Sequence, residues 1–219
     1  MRSTINNSPA IEEYLQAIYT LSDEGATVIG ARLAGFLGVS AAAVSEMLHR
    51  MQRDSLLTLD GRKEVHLTNT GAALAARVVR RHRLAERMLV DLLGYEWWKT
   101  HEEAERIEHT MSAEMEERLT RVLNDPQTCP HGNPMPGAPR RPTVSLDAVA
   151  RGTTATIERI PDQFEHEPGF LEYLDSQGMR PGVTLRVIAA RQGEPLVVEI
   201  DGRERSIRAD CGQKVWVRA

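Results

Sequence analysis

Phe36-Leu37-Gly38-Val39-Ser40-Ala41-Ala42-Ala43-Val44-Ser45-Glu46 is a break between two helical patterns. Upstream of it, Val28 to Phe36 reads as a helix through Ile29, Leu33, Ala34 and Leu37. Gly38-Val39 ends that pattern, and Ser40 is the residue type that caps a new helix. Val44, Met47, Leu48 and Met51 give this second helix, Ala41 to about Asp54, an apolar seam. Two short helices joined by a tight glycine-containing turn make a helix-turn-helix.

Downstream, Leu56-Leu57-Thr58-Leu59 and Glu64-Val65-His66-Leu67-Thr68 flank Asp60-Gly61-Arg62-Lys63. Asp-Gly between alternating segments predicts a hairpin with a tight two-residue turn, its tip basic. Helix-turn-helix plus basic hairpin is a winged helix, which points to double-stranded DNA. On the second helix the small Ala42 and Ala43 permit close approach to a groove, and Ser40, Ser45 and Glu46 offer polar contacts. Arg50 and Arg53, Arg32 on the preceding helix, and Arg62 and Lys63 at the wing tip are the candidates for phosphates. The net charge of −4 by itself argues against nucleic acid, so a DNA contact has to rest on localised basic groups.

Upstream of the winged helix, Ile11 to Leu21 is an amphipathic helix with Ile11, Tyr14, Leu15, Ile18 and Tyr19 toward its buried side. Glu13 has Ala17 at i+4 and reads by default as a surface carboxylate. Beyond the wing, Ala72 to Leu93 predicts a long helix in which His82 and Glu86 form an i, i+4 pair. That spacing suits a shared ligand or a surface hydrogen bond. A second helix runs from the His101-Glu102-Glu103-Ala104-Glu105-Arg106-Ile107-Glu108-His109 stretch through Met111, Met115 and Leu119 to Leu123. At about 100° per residue, His101, Glu105, Glu108 and His109 share one face. It is either a solvated charged face or a cation-binding one, since imidazoles and carboxylates are costly to bury unpaired. Leu84, Met88, Leu92, Met111, Met115 and Leu119 supply an apolar surface for a core or a dimer.

From Pro126 five further prolines and two glycines crowd the chain to Pro142, which predicts a semi-rigid linker. Within it Cys129-Pro130-His131 is either a metal-binding pair or a loop cysteine. After Thr143 short β-type runs dominate: Thr153 to Ile160, Thr184 to Ala190, Leu196 to Ile200, Glu204 to Ile207 and Lys214 to Val217. A single helix, about Gly169 to Gln177, interrupts them, which suggests a small barrel. The fold expected is α+β: residues 1–72 a winged helix-turn-helix domain, 73–142 a helical dimerisation and metal-binding domain, 143–219 a small β-barrel.

Other classes are disfavoured. No run of 18 apolar residues exists and Met1 to Asn7 lacks the apolar core of a signal peptide, so a cytoplasmic protein without a membrane partner is expected. Two cysteines in 219 residues are no disulfide framework. A zincin needs His-Glu-x-x-His, but Glu105 stands where the second histidine belongs; a di-iron Glu-x-x-His fails at Arg106. No motif for nucleotides, a small-molecule substrate or nucleophilic catalysis appears, so no enzyme is expected.

The winged helix, His82-Arg83-Leu84-Ala85-Glu86-Arg87, the 101–109 stretch and Cys129-Pro130-His131-Gly132-Asn133-Pro134 together resemble the diphtheria toxin repressor family of metal-dependent transcriptional regulators. The C-terminal segment is similar to the SH3-like domain of ferrous-iron transport protein A. The resemblance implies a homodimer that binds palindromic operators. It also implies a primary metal site of Glu13, Glu105, Glu108 and His109 with His82 near it. A second site would comprise Glu86, His101, Cys129 and His131. A further ligand from the third domain is implied, with Glu165, His166 and Glu172 as candidates. The iron-responsive branch has methionine and cysteine where this chain has Glu13 and Glu105, and hard carboxylates favour Mn(II), with Fe(II) the alternative. Gln16 replaces a glutamate of some manganese-responsive members, which speaks against their two-manganese centre.

Overall fold

The computed structural model describes residues 8–189 and 194–219. Met1 to Asn7, and Ala190 at the end of an expected strand, lie outside them. The chain divides into two compact units, Met1–His82 with Glu105–Glu116, and Arg83–Ala104 with Glu117–Ala219.

In the first unit α1 (Pro9–Asp23) begins with a proline whose fixed φ suits the first helical position, and it buries Ile11, Leu15 and Ile18. Helices α2 (Gly30–Leu37) and α3 (Ala41–Arg53) are bent by 113°. Gly38 at φ 66° supplies the left-handed residue that ends α2. Ser40 Oγ accepts from Ala43 N at 3.1 Å and starts α3. Strands β1 (Leu57–Leu59) and β2 (Val65–Leu67) pair antiparallel, and Ile29 bridges Glu64 beside them. Leu33, Val44, Met51, Leu56 and Val65 close the core between helices and wing.

The wing turn differs from expectation. Leu59 pairs with Val65, so the connection is longer than two residues, with Lys63 at φ 60°. Asp60 is why: its Oδ1 accepts from both Arg62 N and Glu64 N at 2.8 Å, winding the loop around the carboxylate.

Helix α4 spans Asn69–Arg87 and passes into a π-helical turn at Met88–Leu92; a 3₁₀ turn at Trp97–Lys99 leads to α5 (Thr100–Glu108). The expected continuous helix to Leu123 is broken. Ser112 Oγ accepts from Met115 N at 3.1 Å and caps a separate α6 (Ala113–Val122), leaving His109 in the intervening turn. Of the apolar surface, Leu84, Met111 and Leu119 are buried, whereas Leu92 and Met115 are exposed.

The second unit is built on a six-stranded antiparallel sheet. Its strands are β3 (Val144–Ser145), β4 (Thr154–Arg159), β5 (Thr184–Ala189), β6 (Leu196–Ile200), β7 (Arg203–Ile207) and β8 (Trp216–Arg218), in the order β3-β8-β4-β5-β6-β7. Buried pairs Ile157–Val217 and Val187–Val198 face Phe170 and Leu174 in its core. Among the described residues three short α-helices and a 3₁₀ turn at Leu146–Ala148 accompany it where one helix was expected: α7 (Asp162–Glu165), α8 (Phe170–Ser176) and α9 (Cys211–Lys214).

The proline-rich stretch is not simply a linker. Cys129, His131, Asn133 and Met135 are buried, and the loop is stitched down by Ile160 N to His131 O at 2.8 Å and Asn133 Nδ2 to Ile160 O at 2.7 Å. Prolines keep this segment out of helix and sheet ladders, and its backbone groups find partners mostly within the loop, as in Cys129 N to Asn133 O and Met135 N to Gln127 O, and on the Arg83 and Arg87 side chains.

Candidate metal centres and nucleic-acid interface

In the first unit, carboxylates and imidazoles alternate in a chain. Glu12 Oε2 lies 2.7 Å from His109 Nδ1; His109 Nε2 lies 3.5 Å from Glu108 Oε1; Glu108 Oε2 lies 2.5 Å from His82 Nδ1. Glu12, Glu108 and His82 are buried. Of the expected primary residues this brings together His82, Glu108 and His109. Glu13 is exposed on α1 and Glu105 is exposed on α5. It is Glu12, one residue away, that reaches His109. The sequence held a signal for it: Glu12 follows Ile11 and precedes Leu15 by three, which puts it on the flank of the apolar stripe.

In the second unit, four donor atoms form a ring. His101 Nδ1 is 3.5 Å from Glu86 Oε1 and 3.0 Å from Glu165 Oε2; His131 Nδ1 is 3.1 Å from the same Glu86 oxygen and 3.2 Å from the same Glu165 oxygen. Edges of 3.0–3.5 Å are the separations expected of donor atoms that share one cation at bonds of about 2.0–2.2 Å. Cys129 joins it, with ligand atoms of Glu86, Cys129 and His131 all within 4.8 Å of one another.

The outward-facing atoms fix the inward-facing ones. His131 Nε2 donates to the Trp97 carbonyl at 2.9 Å, so its Nδ1 faces the carboxylates, making no directed hydrogen bond among the described residues. His101 Nε2 contacts His166 Nδ1 at 3.1 Å, and Asn133 Nδ2 holds Glu165 Oε1 at 2.7 Å. Among the three third-domain candidates, Glu165 thus enters the ring, His166 stands behind it and Glu172 is exposed.

Electrostatics agree with a site short of positive charge. Burial opposes protonation of His131, but Glu165 and Glu86 outweigh it and raise its pKa well above the ordinary value. Burial pushes Glu165 up, yet His131 dominates and brings it to about 2. Burial, reinforced by Glu86, lifts the Cys129 thiol to about 11. These residues fit a divalent cation: a fully buried imidazole nitrogen and two carboxylates converge, and a cation would supply the positive charge they lack.

The DNA candidates Arg32, Ser40, Ala42, Ala43, Ser45, Glu46, Arg50, Arg53, Arg62 and Lys63 are all exposed. Arg32 Nη1 donates to the Thr27 carbonyl, and the Ser40 oxygen is engaged as the α3 cap. His49, not singled out from the sequence, is exposed on α3 three residues after Glu46 and therefore on the same side.

Three family models match the chain nearly end to end. They are the iron dependent repressor N-terminal DNA binding domain at residues 7–65, the iron dependent repressor metal binding and dimerisation domain at 68–137, and the FeoA domain at 144–219. The iron-dependent repressor IdeR of Mycobacterium leprae (strain TN) is 36% identical over 206 residues, covering 88% of this chain and 89% of that protein. The chain belongs to the iron-dependent repressor family. The diphtheria toxin repressor of Corynebacterium jeikeium (strain K411) is 47% identical over 206 residues, 83% of this chain and 86% of that one. A solved manganese-dependent transcriptional repressor in complex with manganese superposes with a TM-score of 0.86 at 36% identity, covering 95% of this chain and 99% of its own.

As a member of this repressor family the protein is a metal-dependent, DNA-binding transcriptional regulator that dimerises, and not an enzyme. Among the described residues no single helix is long and apolar enough to cross a membrane.

Proposed function

We propose that this repressor responds to Mn(II) and, in its metal-loaded form, binds a palindromic operator as a homodimer. The observation that carries the reading is the donor chemistry of the first unit: Glu12, His82, Glu108 and His109 offer only oxygen and nitrogen, and no sulfur. Oxygen-rich sites suit Mn(II), whereas thiolate and thioether select softer ions. In this reading His82, Glu108 and His109 are the inner donors of the regulatory centre. Glu13 and Glu105, exposed on the same helices as Glu12 and Glu108, complete it. Glu86, His101, Cys129, His131 and Glu165 form the second centre.

A bound divalent cation supplies the positive charge that lets several carboxylates stay ionised side by side. The protein does the rest. Glu12 and Glu13 lie on α1, whose apolar face packs in the winged-helix core, while Glu108 ends α5 and His109 begins the turn after it. Holding these donors together fixes α1 against the end of α5. In a dimer it would thereby fix the separation of two recognition helices to match two half-sites. Neutralised carboxylates also lower the repulsion between a chain of net charge −4 and phosphates. In this reading residues 1–72 bind DNA, 73–142 dimerise and hold metal, and 143–219 form the SH3-like domain.

The Fe(II)-responsive reading draws on Cys129, whose sulfur gives the second centre a softer donor. An operator mobility-shift titration against Mn(II), anaerobic Fe(II) and Zn(II), with a chelator control, separates the two. Mn(II) should tighten binding at the lowest free concentration, and Glu108→Ala or His109→Ala should abolish the response. Activation by Fe(II) at lower concentration would transfer the assignment to iron, and wild-type affinity indifferent to metal would remove it altogether.

A further inference from the structure

His109 has a carboxylate oxygen beside each ring nitrogen, Glu12 Oε2 in hydrogen bond with Nδ1 at 2.7 Å and Glu108 Oε1 at 3.5 Å from Nε2. A carboxylate only accepts, so Nδ1 carries the proton and the lone pair of the neutral ring lies on Nε2, toward Glu108. A separation of 3.5 Å is too long for a directed N–H···O bond. It fits the edge between two donors that share a cation: bonds of about 2.1–2.2 Å meeting near ~105° leave about 3.4 Å between donor atoms.

We propose that Glu12 is a positioning residue for the metal centre. Its carboxylate fixes the tautomer and orientation of His109, turns the Nε2 lone pair toward Glu108, and anchors that ligand to α1. The inference rests on the reading of His109 as a ligand. Glu13 cannot take this part from the same backbone position, because one residue along a helix turns the side chain by about 100°. Glu12 is buried and Glu13 exposed. The second unit uses the same device with the ring reversed: the Trp97 carbonyl holds His131 Nε2 and leaves Nδ1 facing the carboxylates. Partners of this kind tune ligand basicity, and their removal typically weakens metal affinity about 10–100-fold.

The test uses the full chain and its Glu12→Gln, Glu12→Ala and Glu108→Ala variants. Mn(II) affinity is read from the free-ion electron paramagnetic resonance signal. The His109 tautomer in metal-free protein is read from long-range ¹H–¹⁵N NMR. Wild type should show the Nδ1–H tautomer. Glu12→Ala should release it and weaken Mn(II) binding about 10–100-fold, with Glu12→Gln, which keeps an acceptor without the charge, in between. Should Glu12→Ala fail to fold, the wild-type tautomer and the Glu12→Gln affinity decide. Unchanged affinity in the Glu12 variants, with Glu108→Ala losing the binding event of the first unit, overturns the role of Glu12 and leaves the metal site standing. Unchanged affinity in Glu108→Ala as well overturns both. A wild-type Nε2–H tautomer overturns the inference with no metal measurement needed.

Discussion

At Gly132 the turn that presents Cys129 and His131 passes so close to β4 that a methyl group has no room. A Cβ there would stand 2.0 Å from the Glu158 carbonyl oxygen, and φ is +88°. Gly137, five residues on, has φ +85° but nothing within 4 Å. The two glycines separate backbone strain from steric clash. Gly137→Ala should cost about 1 kcal/mol, the ordinary penalty of a left-handed alanine. Gly132→Ala should cost about 3 kcal/mol or more, because turn and strand must part, and it should also weaken metal binding at the second centre. Urea denaturation of both variants checks this, and equal losses would refute the clash. The Cys129-His131 spacing was legible only as either a metal-binding pair or a loop cysteine, and its burial was not legible, since residues covering it, such as Ile160 and Glu165, lie about thirty positions further along. The same limit applies to Glu165, which the sequence offers only as one of three candidates. Glu12 and Glu13 differ only in helical phase, and the apolar stripe beside Ile11 is the sole local sign of which one turns inward.

Elements were read well where their causes are local. Ser40 and Gly38 mark the helix-turn-helix break because a cap and a left-handed residue act within a few positions. The dipeptide Asp-Gly occurs twice with different outcomes. At Asp201-Gly202 both residues have positive φ and Ile200 pairs with Arg203, the two-residue turn that Asp-Gly favours. In the wing, two backbone N–H groups compete for the Asp60 carboxylate and lengthen the loop. Its winding leaves Arg62 and Lys63 exposed on the tip. A cationic side chain seated on a phosphate releases counterions, so removing one should lower the slope of log affinity against log salt by about 0.9. Arg62→Ala or Lys63→Ala should therefore weaken all sequences alike and reduce the slope by about two for a dimer, which carries one such side chain on each protomer. Substituting Ser45 or Glu46 on α3 should instead change which sequence is preferred. Fluorescence anisotropy over a salt series distinguishes them; an unaltered slope in both wing variants would remove the wing from the interface.

At the scale of the molecule, the α+β arrangement follows from a change of period, helical before residue 123 and alternating after 143. Quaternary structure is less legible, because an exposed leucine and a core leucine look alike in a periodic pattern. The structure sorts them. Leu84 and Leu119 are buried within the protomer, whereas Leu92 and Leu93, at 48% and 60%, and Tyr95 remain exposed around the end of the π-helical turn. A run of large apolar side chains left in water is the feature a second copy would cover, and the family dimerises through the region containing it. Leu93→Glu places a charge in that run without touching Glu108, His109 or the second-centre donors. It should shift the protein from dimer to monomer in sedimentation velocity while Mn(II) bound per chain stays constant. Operator affinity should fall about a hundredfold, since two half-sites held by one dimer then become two separate binding events. A Leu93→Glu protein that remains dimeric would move the interface elsewhere. One that becomes monomeric yet binds the operator with full affinity would show that fixed spacing between recognition helices is not how metal binding is converted into repression.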